Sequence, residues 1–244
     1  MAHQAFDRRA SEYDAWYDTE AGRAIFSMEV ECLQPLLQTY SRPYLEIGVG
    51  SGRFAQALGI EHGVEPAPSL GRIARLRGVG VTEAAGEGLP FRGEVFGAAL
   101  TALTLCFVDS PLEVLQEAWR VLKPGGGLVL GLILRGSPWA EFYTRMGREG
   151  HPIYSRARFF SRNEVEGLLR RSGFAMPKYR STLFQPPGQD AYRHESTISS
   201  FRRLAGFVAI ASAKTMGLPD SESAQSTEER QDLRMSATAA FVRT

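Results

Sequence analysis

Tyr44-Leu45-Glu46-Ile47-Gly48-Val49-Gly50-Ser51-Gly52 is a short apolar strand that runs directly into three glycines, each two residues from the next. A strand, a glycine turn and a helix are implied, the helix covering Ser51 to Leu58 with Phe54 and Leu58 on its inner side. Gly48 and Gly50 accept positive φ and let a ligand lie against bare backbone, while Gly52 opens a helix whose first amides attract negative charge. A carboxylate or a phosphate suits such a place. A dinucleotide fingerprint asks for Gly-x-Gly-x-x-Gly, however, and Arg53 stands where its third glycine belongs. Alone, the loop also suits an ordinary tight turn.

Outward from the loop, His62-Gly63-Val64 reads as a second strand ending at Glu65-Pro66, and a helix follows from Ser69 to Arg77 with Ser69 as its N-cap. A carboxylate at that strand end, 17 residues beyond Gly48, can accept hydrogen bonds from the two vicinal hydroxyls of a ribose. Val79-Gly80-Val81 is a third strand and Phe96 to Leu103 a fourth. A helix from Leu112 to Leu122 is opened by Pro111 and ended by Lys123-Pro124-Gly125-Gly126-Gly127, and Leu128 to Leu134 is apolar enough for a strand covered on both faces. After a helix over Asn163 to Arg171, Lys178 to Phe184 and Gly206 to Lys214 close the sheet as an antiparallel pair. The class is therefore α/β: a Rossmann-like, mostly parallel seven-stranded sheet with helices on both faces and the last strand antiparallel. Ligands of such sheets bind at the carboxyl ends of the strands.

Residues 1–40 are expected to form a helical N-terminal lid, with Phe6, Tyr13, Trp16, Tyr17, Ile25, Phe26 and Val30 at helical spacing and Gly22 dividing two helices. Residues 41–216 form the main domain, within which 135–160 is an aromatic insertion covering the strand ends, and 217–244 is a flexible tail. Across 244 residues, Lys plus Arg (28) almost cancels Asp plus Glu (27), so no global field draws the chain to nucleic acid or an anionic membrane. Arg156 to Arg162 is the only short basic stretch that argues otherwise. No apolar run approaches the roughly 20 residues needed to cross a bilayer, and a cytoplasmic location is expected. Cys32 and Cys106 sit in apolar runs at a spacing suited to neither a metal site nor a disulfide framework, so both are read as reduced core thiols and no metal is expected.

Leu45 to Gly52, Glu65-Pro66, Glu87-Gly88-Leu89-Pro90-Phe91 and Arg120-Val121-Leu122-Lys123-Pro124-Gly125-Gly126 resemble, in order, the motifs of class I S-adenosylmethionine-dependent methyltransferases, in the branch that includes ubiquinone and menaquinone biosynthesis enzymes. The resemblance covers about residues 44–174 and is silent on the methyl acceptor. It implies that Glu46 braces the loop and faces the cofactor's amino group. Gly48, Val49, Gly50 and Gly52 then lie along the methionine part and ribose, Glu65 and Pro66 hold the ribose, and Leu103 and Thr104 run beneath the cofactor. The acid that usually receives the adenine amino group is replaced by Ala85, so Gly86 or Glu87 takes over that contact.

A sulfonium methyl is already electrophilic, so direct in-line transfer needs alignment and exclusion of water more than acid-base machinery. His3, His62, His151 and His194 are scattered without an evident carboxylate partner, His151 and His194 read as ordinary surface residues, and no catalytic base is assigned. The acceptor, a small molecule, is expected between Tyr13, Trp16 and Tyr17 on one side and Trp139, Tyr143 and Tyr154 on the other, with Arg156 and Arg158 available to an acidic one. Two other readings share these features: a non-catalytic binding or regulatory module on the same fold, which Ala85 favours, and an NAD-dependent oxidoreductase, which the glycine spacing disfavours.

Overall fold

Alternation of side chains along the central strands distributes them between two layers. On β4 (Phe96–Ala102), Ala98, Leu100 and Ala102 turn to one apolar cluster and Ala99 to the other; on β5 (Leu122–Leu132), Val129 faces the first while Leu128 and Leu130 face the second. The computed structural model describes residues 3–216, so the tail expected over 217–244 lies outside the described residues. With β1 (Tyr44–Ile47), β2 (His62–Val64), β3 (Gly80–Thr82), β6 (Lys178–Thr182) and β7 (Phe207–Ala213), these strands make one seven-stranded sheet in the order β3-β2-β1-β4-β5-β7-β6. The first five are parallel, and β7 runs antiparallel to both its neighbours. The strand order reverses between β1 and β4, which places the ligand crevice beyond their carboxyl ends.

One face is covered by α3 (Glu20–Leu37) and α4 (Arg53–Leu58): Met28, Cys32, Leu33 and Leu37 of α3 pack with Phe207 and Ala209 of β7. The other is covered by α6 (Pro111–Val121) and α8 (Arg162–Arg171) through Val114, Leu115, Val165 and Leu169. Helix α3 is thus a layer of the core. Within residues 3–40, α1 (His3–Arg8) and α2 (Ala10–Trp16) are the helices outside that layer, packing on α5 (Pro68–Leu76) through Phe6, Ala10 and Tyr13 against Leu70. A lid spanning all of 1–40 is therefore too broad.

Three local expectations change. Gly22 lies within α3 rather than between helices; its N–H donates to Oγ1 of the N-cap Thr19, and a Cβ there would lie 2.1 Å from the Trp16 carbonyl oxygen. Ser69 does not cap α5, because Pro68 already occupies the first turn behind Ala67, and the Ser69 N–H is taken by Asp7 Oδ1 of α1 at 2.7 Å. Lys123 to Gly127 is not only a helix stop: α6 ends at Val121 and the segment enters β5, where the pairing register shifts between Phe96 and Ala98.

Candidate active site

The glycine turn is shaped by what passes close to it. Gly48 has φ +74°, and a Cβ there would fall 2.3 Å from the Thr104 methyl; its N–H and that of Val49 both donate to the Val64 carbonyl, at 2.8 and 3.0 Å. Thr104 Oγ1 in turn donates to the Gly48 carbonyl at 3.2 Å, tying the loop after β4 to the turn after β1. Leu103, just before it, has φ +56°, an uncommon conformation for a branched side chain at the floor of the crevice.

Glu65 completes the turn. Its Oε2 accepts from Gly50 N at 2.8 Å and its Oε1 from Ala67 N at 2.9 Å, which fixes the carboxylate across the cavity wall while each oxygen retains a free lone pair. Burial raises its pKa, and those two N–H groups offset only part of the rise. Glu46, one strand away, is 1% exposed, lines the same cavity, and its Oε2 has no hydrogen-bond partner. Burial holds its carboxyl well above the usual range, helped by the nearby Glu65. Two buried acids at adjacent strand ends, one with an orphaned oxygen, ask for a ligand that brings donors or positive charge.

That cavity measures about 1050 Å³, and Glu46, Gly48, Val49, Gly50, Glu65, Pro66, Gly86, Glu87, Leu103 and Thr104 all reach its wall. Gly52 does not, contrary to expectation. At φ +82° it caps the six-residue α4, where a Cβ would lie 2.8 Å from the Ala74 Cβ, so its role is close packing of the turn on α5. Glu87 lines the cavity but spends Oε1 on the N–H groups of Asp109 and Ser110 at 3.1 and 3.2 Å, bracing the start of α6.

The six aromatic residues singled out from the sequence also converge on this space. Tyr13 and Tyr17 share a hydroxyl contact of 3.1 Å, Trp16 lies edge-on to Tyr17, and opposite them α7 (Pro138–Arg148) and a 3-10 turn (Tyr154–Arg156) bring Trp139, Tyr143 and Tyr154 together, the last two with ring centroids 4.4 Å apart. Arg156 and Arg158 do not reach the wall; Arg158 stacks over Phe160 instead. Cys32 is buried, as expected, but Cys106 belongs to the cavity wall rather than the core, its thiol pushed up to about 12 by burial. His151 is likewise on the wall rather than an ordinary surface residue. Its Nδ1 accepts from Ile153 N and Tyr154 N at 3.3 Å, and burial together with Arg9 lowers its pKa. His194 is outside, paired with Glu31.

Sequence reasoning missed Glu29, Phe107 and Tyr192, all on the wall. Glu29 had a signal: it interrupts the apolar stripe Ile25, Cys32, Leu33, Leu36 of α3 with an acid. Tyr192 had none, since it comes from a polar connection without periodicity.

The methyltransferase domain model matches residues 45–130, from β1 into β5. A Thermotoga maritima structure described as an S-adenosylmethionine-dependent methyltransferase, possible histamine N-methyltransferase, is 36% identical. The alignment covers 88% of this chain and all of that one, with a TM-score of 0.81. The chain belongs to the S-adenosylmethionine-dependent methyltransferases. An uncharacterised Mycobacterium tuberculosis protein is 47% identical over 86% of this chain and 73% of its own length, and one from Methanocaldococcus jannaschii is 37% identical over 74% and 85%. The match is to this methyltransferase family as a whole and singles out no branch of it. The wall residues fit the family's cofactor: the orphaned Glu46 oxygen suits an ammonium, and the spare lone pairs of Glu65 suit a diol. Among the described residues no cluster of His, Cys, Asp and Glu is arranged to hold a metal, and no helix is long and apolar enough to cross a membrane.

Proposed function

We propose that this methyltransferase, working in the cytoplasm, passes a methyl group from S-adenosylmethionine to a small-molecule acceptor by direct in-line displacement. The observation that carries the reading is one cavity whose wall includes both the Glu46–Glu65 pair with its glycine turn and the aromatic residues, Tyr13 Cε1 standing 3.9 Å from where a Cβ on Gly50 would lie. Its volume, about 1050 Å³, accommodates a nucleoside cofactor and a modest acceptor together. Bound there, the cofactor supplies an electrophilic methyl carbon. Glu65 holds the ribose hydroxyls, Glu46 neutralises the amino group of the methionine part, and the Gly86 backbone with the remaining oxygen of Glu87 meets the adenine edge in place of the acid lost at Ala85. Leu103 and Thr104 set the floor, and Tyr13, Tyr17, Tyr143 and Tyr154 exclude water from the reacting atoms. The Thermotoga protein's description as a possible histamine N-methyltransferase accords with an acceptor of this size.

Calorimetry and thermal shift test the cofactor half. S-adenosylhomocysteine at 100 times its dissociation constant stabilises the folded chain by about 2.7 kcal/mol, and NAD does not. Glu65→Ala, which removes both the ribose acceptor and the anchor of Gly50, lowers affinity at least about 100-fold. Unchanged affinity in that variant would refute the assignment.

A further inference from the structure

We infer that the acceptor is a small amine, bound as its ammonium by the Glu29 carboxylate inside the aromatic walls and methylated on nitrogen. This rests on the methyltransferase reading above and goes beyond it in naming the acceptor class and the residue that selects it.

Glu29 projects from the middle of α3 into the cavity; it is 3% exposed, and its Oε2 has no hydrogen-bond partner. A buried, unpartnered carboxyl oxygen is costly unless a ligand satisfies it. Tyr13 of α2, Tyr17 at its C-terminal cap, Tyr143 of α7 and Tyr154 of the 3-10 turn line the same cavity, and the charge of Glu29 acts on each of them. Burial raises each of these phenols, which keeps them neutral beside the acid. A carboxylate among neutral aromatic rings favours a cation over a neutral or anionic group of the same shape. The wider wall agrees: Glu29, Glu46, Glu65, Glu87 and Asp109 face the cavity against a single arginine, Arg9, which is half-exposed and paired with Glu12. The two arginines that would have drawn an acidic acceptor lie off the wall.

The same residue provides for the proton. An ammonium has no lone pair, so Glu29 first takes one proton from it. The freed nitrogen pair forms the new N–C bond as the C–S bonding pair returns to sulfur, the methylated product leaves as an ammonium, and Glu29 releases its proton to water. Glu29 is suited to this because burial lifts its carboxyl to about 8, within reach of an amine in the same apolar setting.

The test uses the full chain saturated with S-adenosylhomocysteine and three probe sets on shared skeletons: phenethylamine, tyramine and histamine; 2-phenylethanol; phenylacetate. Calorimetry is expected to show the best amine binding at least about tenfold more tightly than the alcohol and the carboxylate. Glu29→Gln abolishes that preference, Glu29→Asp keeps part of it, and labelled S-adenosylmethionine places its methyl on the amine nitrogen. Amines that bind no better than the alcohol, or that do not bind at all while S-adenosylhomocysteine does, overturn the inference and leave the cofactor reading standing. Failure of S-adenosylhomocysteine itself to bind overturns the parent reading instead. The comparison among probes on the unsubstituted chain decides the matter even if a variant does not fold.

Discussion

At Glu29 the helix α3 carries an ionisable group in the position of a hydrophobe, and the cost is measurable as a pH dependence. Its carboxyl titrates at about 8 in the folded chain against 4.5 as the ordinary value. Between those values the folded chain retains a proton that the unfolded chain has lost, so this group's contribution to stability falls as pH rises through the window and levels off above about 8, at about 1.4 kcal/mol per pH unit. Glu29→Gln cannot lose a proton. Without ligand, its melting temperature is expected to match the parent near pH 5 and exceed it by several degrees at pH 8.5; a constant difference at both pH values would contradict the burial argument. Affinity for an ammonium should rise with pH over the same range, because binding below pH 8 must expel the proton. Gly48 makes the complementary case of a residue defined by what it lacks. Gly48→Ala sets a methyl into Thr104 and forces φ +74° on a residue with a Cβ, so a lower melting temperature and lost affinity for S-adenosylhomocysteine are expected together.

Among the elements, α2 owes its position to Arg53, the residue that breaks the dinucleotide glycine pattern. Arg53 Nε donates to Asp14 Oδ1 at 2.8 Å and its Nη2 to Asp18 Oδ2 at 2.7 Å, while Arg77 Nη2 donates to Asp14 Oδ2 at 2.8 Å and its Nη1 to the Ser51 carbonyl at 2.7 Å. Burial pushes Asp14 up and these guanidinium groups more than reverse it, to about 2, so the clamp holds across the neutral range. Restoring the glycine by Arg53→Gly is expected to leave the sheet folded and confer no NAD binding. It removes one of the two guanidinium groups that hold Asp14 and loosens α2, so dissociation of S-adenosylhomocysteine accelerates by about tenfold or more in stopped-flow measurements. Unaltered dissociation would mean that Arg77 and the apolar contacts of α2 hold it without Arg53. This pairing was not legible in the sequence, where Asp14 and Arg53 are 39 positions apart and each looks like a solvated charge.

For the whole molecule, what could be read in advance was what is local: strands β1 to β5 from apolar runs punctuated by glycine and proline, the cofactor side of the cavity from one turn plus one acid, and the aromatic walls from helical spacing near the start of the chain and from the aromatic run of 135–160. What could not be read depends on distant parts of the chain meeting. Tyr192 reaches the wall from a connection after β6, Ser69 is satisfied by Asp7 rather than capping its own helix, and α3 joins the core because β6 and β7 fold back beside it. The two roofs of the cavity come from segments far apart in the chain, so hydrogen exchange should slow in both 3–19 and 138–156 when S-adenosylhomocysteine and an acceptor bind together, while the sheet is unaffected. Protection confined to one roof would separate them. Helix α1 begins at His3 on the rim of the cavity and is tied through Asp7 to α5. An affinity tag or fusion partner joined ahead of that helix is therefore tethered beside the space the reactants occupy, where its bulk competes with them for room.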